Sequence, residues 1–312
     1  MNQLTAKNWH KAQTFMQQQA RPLERALFAY YFADGAKEAI LQALAAFQNE
    51  DGGFGQALEP DFRIPDSSVL ATTVALQILW QLEIGPDNPL VQGAMRFLVN
   101  NYDAQHNAWP FIPPHESQYP HALWWQYNPD VSNYLDNPRS EIARYYLDYA
   151  ALVPEGQPQA LLRAVVQRLA GLKELEFHAL LCYLRLITTR TLDDDTRQQI
   201  ITYLEPIIKA SVVTDSEEWT DYNLKPLGVV SQPDSPFIHL FPEAVESNLD
   251  FELTHQGADG AWSPAWSWGP NFSAVWPQAR RDWQGVLTLN TLKTLRSFGR
   301  LASDQPPAGS LP

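Results

Sequence analysis

Cysteine is almost absent from this sequence of 312 residues, in which Cys182 is the only example. A single thiol excludes an intrachain disulfide framework and the Cys-rich ligand sets that hold structural zinc. Charged residues are also sparse, at 18% of the chain, and acidic ones dominate, with a formal net charge of −13. Because such a field repels phosphate backbones and anionic lipid headgroups, nucleic acid is not an expected partner.

Long hydrophobic runs are missing as well. No apolar stretch approaches the roughly 20 residues that span a bilayer, and the opening segment MNQLTAKNWHKAQTFMQQQARP has neither an apolar core nor a cleavage signature. We therefore expect no signal peptide, no membrane span and a cytoplasmic location. The polar, proline-containing residues 303–312 predict a disordered tail after a single domain formed by residues 1–302.

Helical periodicity dominates the remaining pattern, and β-type alternation is scarce. The predicted fold class is therefore all-α. Asp193, Asp194 and Asp195 open one helix as cap and dipole complement, with Ile200 and Leu204 facing inward. The other predicted helices are 34–47 with Asp34 as cap, 67–80, 137–149, 242–253 and 282–298.

Aromatic residues are abundant, with 11 Trp, 12 Tyr and 14 Phe, and many cluster in loops rich in proline and glycine. LWWQY contains Trp124 and Trp125, and AWSPAWSWGP contains Trp266 and Trp268. Such clusters line the wall or mouth of a cavity, or they pack between helix ends, and the sequence leaves both open. We take these four side chains as candidate substrate-binding residues.

Two segments resemble each other and are interpreted as diverged copies of one helix–loop–helix unit. ILQALAAFQNEDGGFGQALEPDF begins at Ile40, and VESNLDFELTHQGADGAWSPAWSWG begins at Val245. Each runs from a helix through Gln, a spacer, Asp-Gly and an aromatic residue to a second helix. VQGAMRFLVNNYDAQHNAWPF, from Val91, is a weaker third copy. Repeats of this kind predict stacked helix pairs, as an open solenoid or a closed ring.

Gln48–Gly55 and Gln256–Trp262 resemble the Gln-to-aromatic repeat of squalene and oxidosqualene cyclases, and protein prenyltransferase β-subunits have similar repeats. The resemblance covers most of the chain, is patchy in the middle, and implies a single α/α toroid of the terpenoid-cyclase and protein-prenyltransferase superfamily. In that superfamily the motif ties helix ends together. It is physically suited to this task, because Gln both donates and accepts and Gly permits a left-handed turn.

The chain departs from the superfamily at its catalytic motifs. The Asp-x-Asp-Asp acid motif of the cyclases is matched in Asp content by residues 192–196, but their position at a helix start indicates a cap. The zinc-binding prenyltransferases use Asp, Cys and His ligands. Here Cys182 lies on an apolar helix face one turn after His178, and no Asp-x-Cys is present. We expect no metal and no cofactor.

The densest polar segment is ALEPDFRIPDSS, which holds Glu59, Asp61, Arg63 and Asp66 between prolines. A pair of carboxyl groups can divide the roles of general acid and partner between them. We assign Asp61 as the acid, Glu59 as the partner of Arg63, and Arg63 and Asp66 as substrate-binding residues. A salt-bridged loop with Asp66 or Ser67 as a helix cap is the structural alternative.

A second polar segment contains His115 beside Glu116, and His121 shortly before Trp124 and Trp125. Histidine can exchange protons near neutral pH, so His115 and His121 join the candidate substrate-binding residues. For two further sets of charged residues we predict mainly structural roles. Glu141 and Arg144 are spaced as a helix salt bridge, and the Arg280–Arg281 pair caps the last helix or lies near a pocket.

These residues leave three functional hypotheses. The first is a cyclase-like or prenyltransferase-like enzyme that binds an isoprenoid or other hydrophobic ligand in a Trp-lined cavity and uses carboxylic-acid catalysis. The second is a carbohydrate-active enzyme, a glycoside hydrolase or lyase, because α/α toroids also carry those activities. The third is a non-catalytic binding or scaffold protein. Fold alone does not separate them, and the oligomeric state stays open.

Overall fold

The computed structural model of the chain describes residues 2–130 and 134–302. Within these ranges it holds twelve α-helices and only isolated β-bridges, which confirms the all-α class. The predicted tail, residues 303–312, lies outside the described residues. The helices are α1 (Ala6–Gln18), α2 (Pro22–Phe32), α3 (Lys37–Ala45), α4 (Val69–Gln81), α5 (Pro89–Asn100), α6 (Arg139–Asp148), α7 (Gln157–Ala170), α8 (Phe177–Leu186), α9 (Asp194–Ser211), α10 (Pro226–Val229), α11 (Pro242–Thr254) and α12 (Trp276–Ser297).

The described residues group into two compact units. The terminal unit combines the residues up to Leu44 with those from Val212 onward, and the central unit comprises Ala45–Ser211. The prediction of one domain over residues 1–302 stays a prediction. None of the helices in the described part of the chain combines the length and apolarity needed to cross a bilayer.

The terminal unit joins distant parts of the chain through α2 and α12, with α1 packed on both. Gly285 on α12 faces Ala20 and Glu24, and a Cβ there would make ordinary van der Waals contact with their side chains, at 3.4 Å. Leu4 donates its N–H to the carbonyl of Arg300 at 2.7 Å. The buried guanidinium of Arg300 also binds Asp250 at 2.8 Å. Residues at both ends of the described chain therefore belong to one folded unit.

The central unit is built around α6, which packs against α4, α7 and α8. Each residue from Arg139 to Tyr146 is buried, so α6 has no solvent-facing side over two turns. Three of these buried residues are charged: Arg139, Glu141 and Arg144. Because buried charges are costly unless they are paired or hydrogen-bonded, their partners are of direct interest.

A short loop after α3 ties α4 and α5 together. Gln48 donates its side-chain amide to the carbonyls of Gly52 at 2.9 Å and Leu90, in α5, at 3.1 Å. The φ of Gly52 is +90°, a conformation open to glycine. The backbone N–H of Phe54 donates to Thr72 Oγ1, in α4, at 3.0 Å. Residues 48–54 are called the first Gln loop.

The second Gln loop, residues 256–262, makes the same bonds within the terminal unit. Gln256 donates to the carbonyls of Gly260 at 2.9 Å and Asn8, in α1, at 2.9 Å. The φ of Gly260 is +93°. The N–H of Trp262 donates to Thr288 Oγ1, in α12, at 3.0 Å. In each loop, therefore, the glutamine side chain binds the start of one helix, and the backbone N–H of the aromatic residue binds a threonine of another helix.

The segment around Trp109, predicted as a weaker third copy, closes a turn of its own. Asp103 N–H donates to the carbonyl of Ala108 at 2.9 Å, which closes the turn. Asn107 has a φ of +51° where the Gln loops have glycine. The buried indole of Trp109 donates to the carbonyl of Leu98 at 2.7 Å, eleven residues earlier in the chain. Here the aromatic side chain binds the last turn of the preceding helix, α5.

Helix boundaries agree with the sequence predictions where a cap is strong. Asp193 accepts the N–H of Thr196 at 2.8 Å and α9 follows, as predicted. The predicted start of α3 at Asp34 is wrong, because Asp34 has a φ of +52° and the helix begins at Lys37. The predicted start of the last helix at Asp282 is also wrong, because its polar first turns extend back to Trp276.

Candidate functional site

The loop from Glu59 to Asp66 leads from the first Gln loop to the start of α4. Its apolar residues Phe62 and Ile64 are fully buried and anchor it to the core. The two carboxylates assigned from the sequence are also buried, with Glu59 5% and Asp61 2% exposed. An ordinary surface loop leaves its carboxylates in water, because removing them from it costs free energy.

A second segment, distant in sequence, runs alongside this loop. Phe62 and His121 form an antiparallel β-bridge. Arg63 N–H donates to the carbonyl of Pro120 at 3.0 Å, and Ala122 N–H donates to the carbonyl of Asp61 at 2.8 Å. The two polar segments that the sequence marks separately are therefore neighbours, with their backbones held by a short ladder.

Two histidines of the second segment occupy different environments. His121 is buried, and its Nδ1 lies 2.7 Å from the carbonyl of Tyr119, so Nδ1 carries the hydrogen and donates it. In a neutral ring this leaves Nε2 as the proton acceptor. His115 Nε2 lies 2.9 Å from Asp66 Oδ2, and both side chains are exposed. Water screens the second pair, so we expect it to contribute little to stability.

The tryptophans after His121 differ in exposure. Trp124 is 49% exposed, beside the equally exposed Leu123. Trp125 packs its ring against Phe111 at 5.3 Å, in an edge-on arrangement. Its indole N–H is buried and has no hydrogen-bond partner among the described residues. Trp124 therefore presents an aromatic face to solvent, whereas the ring of Trp125 packs on Phe111.

The other two candidate tryptophans belong to the terminal unit. Trp266 packs edge-on against Trp283 at 5.2 Å and against Tyr222 at 5.0 Å. Trp268 is buried, 5.7 Å from the ring of Trp276. Eight of the ten candidate residues thus lie in two adjoining segments of the central unit, and these two lie in an aromatic cluster of the other unit.

A groove of about 400 Å³ lies at the start of α12 in the terminal unit. Arg280 donates to Ser263 Oγ at 3.1 Å beside it. Of the two alternatives that the sequence left for this arginine pair, the helix cap is wrong, because α12 begins at Trp276, whereas both arginines do line the groove. The groove is lined by Thr14, Phe15, Gln18, Gln19, Asp259, Arg280, Arg281 and Gln284.

In the described part of the chain, no three His, Cys, Asp or Glu side chains are grouped to hold a metal ion.

The predicted salt bridge between Glu141 and Arg144 is wrong. Glu141 instead accepts from Arg185 Nη1, on α8, at 2.9 Å and from the hydroxyl of Tyr145 at 2.6 Å. Burial, and then the neighbouring Glu141 carboxylate, raise the pKa of Tyr145 well above its ordinary value. The sequence signal for buried charge was RSEIARYYLD itself, because its charged and apolar residues do not separate onto two helix faces.

Comparison with known proteins gives no match for this chain: no family model, no curated protein and no solved structure is similar to it.

Proposed function

We propose that this chain is a single-chain α/α toroid whose central unit carries an acid–base site for a neutral hydrophobic small molecule of isoprenoid type. The two Gln loops support the toroid, because each joins helix ends by the same set of hydrogen bonds. The observation that carries the function is the junction of the two polar segments, where Glu59, Asp61 and His121 are all buried.

Burial makes these groups suitable for proton transfer. A carboxylic acid that is shielded from bulk water delivers its proton to a bound substrate instead of exchanging it with solvent. Asp61 is the general acid of the proposal, with Glu59 as the second carboxyl group. His121, oriented by its bond to the carbonyl of Tyr119, takes or returns a proton at Nε2.

The exposed ring of Trp124 supplies a face against which a ligand can stack. An aromatic face stabilises a developing cation by roughly 0.5–2 kcal/mol. This suits an alkene that is protonated to a carbocation. Trp124 also favours a second candidate, because a solvent-accessible ring is an equally good platform for a sugar. A glycosidase would place its two carboxyl groups about 5–10 Å apart across the ligand.

The test is a ligand screen on the whole chain, with farnesol and geranylgeraniol in one panel and maltohexaose and cellohexaose in another. Binding is measured by thermal shift and turnover by product analysis. Asp61→Asn and Glu59→Gln preserve shape and remove the acid. Asp87→Asn is the matched control, because Asp87 is an exposed carboxylate of the same unit.

We expect isoprenoid alcohols to stabilise the wild type and Asp87→Asn, and we expect Asp61→Asn to lose turnover by about 100-fold or more. Circular dichroism of each variant verifies that the fold is retained. Unchanged turnover in Asp61→Asn would refute the site. Stabilisation by the oligosaccharides alone would replace the isoprenoid assignment with the carbohydrate one.

A further inference from the structure

The groove at the start of α12 holds two arginines and a carboxylate that form no ion pair with one another. Arg280, Arg281 and Asp259 all line it, and all three are exposed. Arg280 donates to the hydroxyl oxygen of Ser263 at 3.1 Å. Among the described residues, the guanidinium of Arg281 has neither a hydrogen bond nor an ion pair. The groove therefore presents charges of both signs to solvent.

Neutral groups hold these charges apart. The side-chain amide of Gln284, which is 5% exposed, donates to Ser263 Oγ at 3.0 Å and to Asp259 Oδ2 at 3.3 Å. Asp259 Oδ1 accepts the N–H of Ala261 at 3.1 Å. A chain of hydrogen bonds thus leads from the Arg280 guanidinium to the Asp259 carboxylate. Because cation and anion are fixed on one groove, a ligand that carries both charges can contact both.

The two helices that line the groove carry few acidic residues. α1 contains Lys7 and Lys11 and no Asp or Glu, and α12 contains four Lys or Arg residues and Asp282 as its one acid. Asp282 is buried, accepts from Gln278 at 2.7 Å and does not line the groove. The lining thus has two cations and one anion in a chain whose total charge is −13. A ligand of net charge −1 balances the lining.

The helix that follows the first Gln loop lacks the turns that carry the two arginines. α12 begins twelve residues before Thr288, whereas α4 begins three residues before the corresponding Thr72. Both threonines nevertheless accept the N–H of the aromatic residue of their loop at 3.0 Å. The extra turns of α12 are therefore not needed to tie the loop to its helix, and the exposed guanidinium of Arg281 is available to a ligand.

We infer that this groove binds an acidic α-amino acid of the glutamate type. Its two carboxylates pair with Arg280 and Arg281, because the guanidinium fork matches the two oxygens of a carboxylate. Its ammonium group donates to Asp259, whose hydrogen-bond donors in the structure are neutral. The buried ring of Phe15 supplies apolar surface for the methylene groups.

The size of the groove agrees with such a ligand, because its volume of about 400 Å³ lies in the range of small-molecule sites. The ligand has two negative charges and one positive charge, which complement the two cations and one anion of the lining one by one. No residue of the acid–base site takes part, so this inference does not depend on the proposed function.

The experiment titrates the full chain by isothermal calorimetry with L-glutamate, at constant ionic strength and near neutral pH. Glutarate, which lacks the ammonium group, and L-glutamine, which lacks the second carboxylate, are the matched ligands, and sodium phosphate is a parallel arm. We expect saturable binding of L-glutamate. Glutarate and L-glutamine should each bind about tenfold more weakly, because each loses one charge-assisted contact.

Three variants locate the ligand, and circular dichroism verifies that each is folded. Arg281→Gln removes a guanidinium that has no structural partner and should weaken L-glutamate binding about tenfold. Asp259→Asn keeps an acceptor for the Ala261 N–H and removes the charge, so it should abolish the preference for L-glutamate over glutarate. Arg96→Gln, at an exposed arginine on α5, is the matched control and should bind as the wild type does.

The wild-type titrations keep the inference falsifiable should a variant fail to fold. L-Glutamate that does not bind saturably overturns the inference, and phosphate that binds in its place identifies a simple anion site. Equal affinities of the wild type for L-glutamate and for either matched ligand overturn the amino-acid assignment. Unchanged L-glutamate binding by a folded Arg281→Gln variant places the ligand outside this groove and also overturns it.

Discussion

Substitution of Trp262 tests whether the aromatic residue of the second Gln loop is a structural tie. Trp262 is 4% exposed, and its indole N–H donates to the carbonyl of Glu252 at 3.0 Å. Truncating a buried tryptophan to alanine costs about 3–5 kcal/mol in lost burial and cavity formation. The lost indole hydrogen bond adds about 1 kcal/mol. We therefore expect Trp262→Ala to destabilise the protein by about 5 kcal/mol.

The first Gln loop provides the matched substitution. Phe54 occupies the corresponding position, is fully buried, and donates its backbone N–H to Thr72 just as Trp262 donates to Thr288. Trp262→Phe keeps a ring that this type of loop accommodates and loses the indole N–H with part of the ring. We expect this variant to lose only about 1–2 kcal/mol.

Thermal and urea denaturation, followed by circular dichroism, measure both variants. For a unit of this size each kcal/mol corresponds to about 3 °C in Tm, so Trp262→Ala should melt about 15 °C lower. Trp124→Ala removes an exposed tryptophan and should melt within about 2 °C of the wild type. The reasoning fails if Trp262→Ala melts with the Trp124 variant, or if the phenylalanine and alanine variants are equally destabilised.

Two further predictions concern the terminal unit. Gly260→Ala should lower the free energy of unfolding by more than about 3 kcal/mol, because φ is +93° and the new Cβ would lie 2.4 Å from the backbone of Lys11. Gly269→Ala, at a φ of +64° with open space around it, should lower it by only about 1–2 kcal/mol. Equal losses of stability for the two variants in urea denaturation would contradict this prediction. Burial lowers the pKa of Lys293 from 10.5 to about 8, so the folded state binds fewer protons than the unfolded state between these values and its stability rises with pH there. Lys293→Met should remove that contribution, and a pH profile from 8 to 10.5 identical to that of the wild type would refute it.

Much of the helical content was predictable because the signals are local. Asp193 caps α9 within three residues of chain, and the Gln loops carry their donors and their glycines in one short motif. The start of α12 was not predictable in the same way. Its first turns are polar and contain Pro277 near the N-terminus, so they have no apolar stripe to reveal them.

The candidate site was predictable in its residues but not in its assembly. The sequence marked Asp61 and His121 separately, and the bridge that brings Phe62 beside His121 joins positions far apart in the chain. The partner of Glu141 was mistaken for a similar reason. Spacing on one helix suggested Arg144, but α6 is buried on every side, so Arg185 from α8 reaches the carboxylate first.

The packing of α2 against α12 also determines the order in which the chain can fold during synthesis. The ribosome releases α2 with its apolar side chains Leu23, Leu27 and Phe28, and the helix that covers them emerges about 240 residues later, after roughly 12–50 s of elongation. The central unit ends at Ser211, so all of its residues are synthesised within that interval. The face of α2 that packs on α12 therefore lacks this partner until α12 is made, and a chaperone that shields it would act before then.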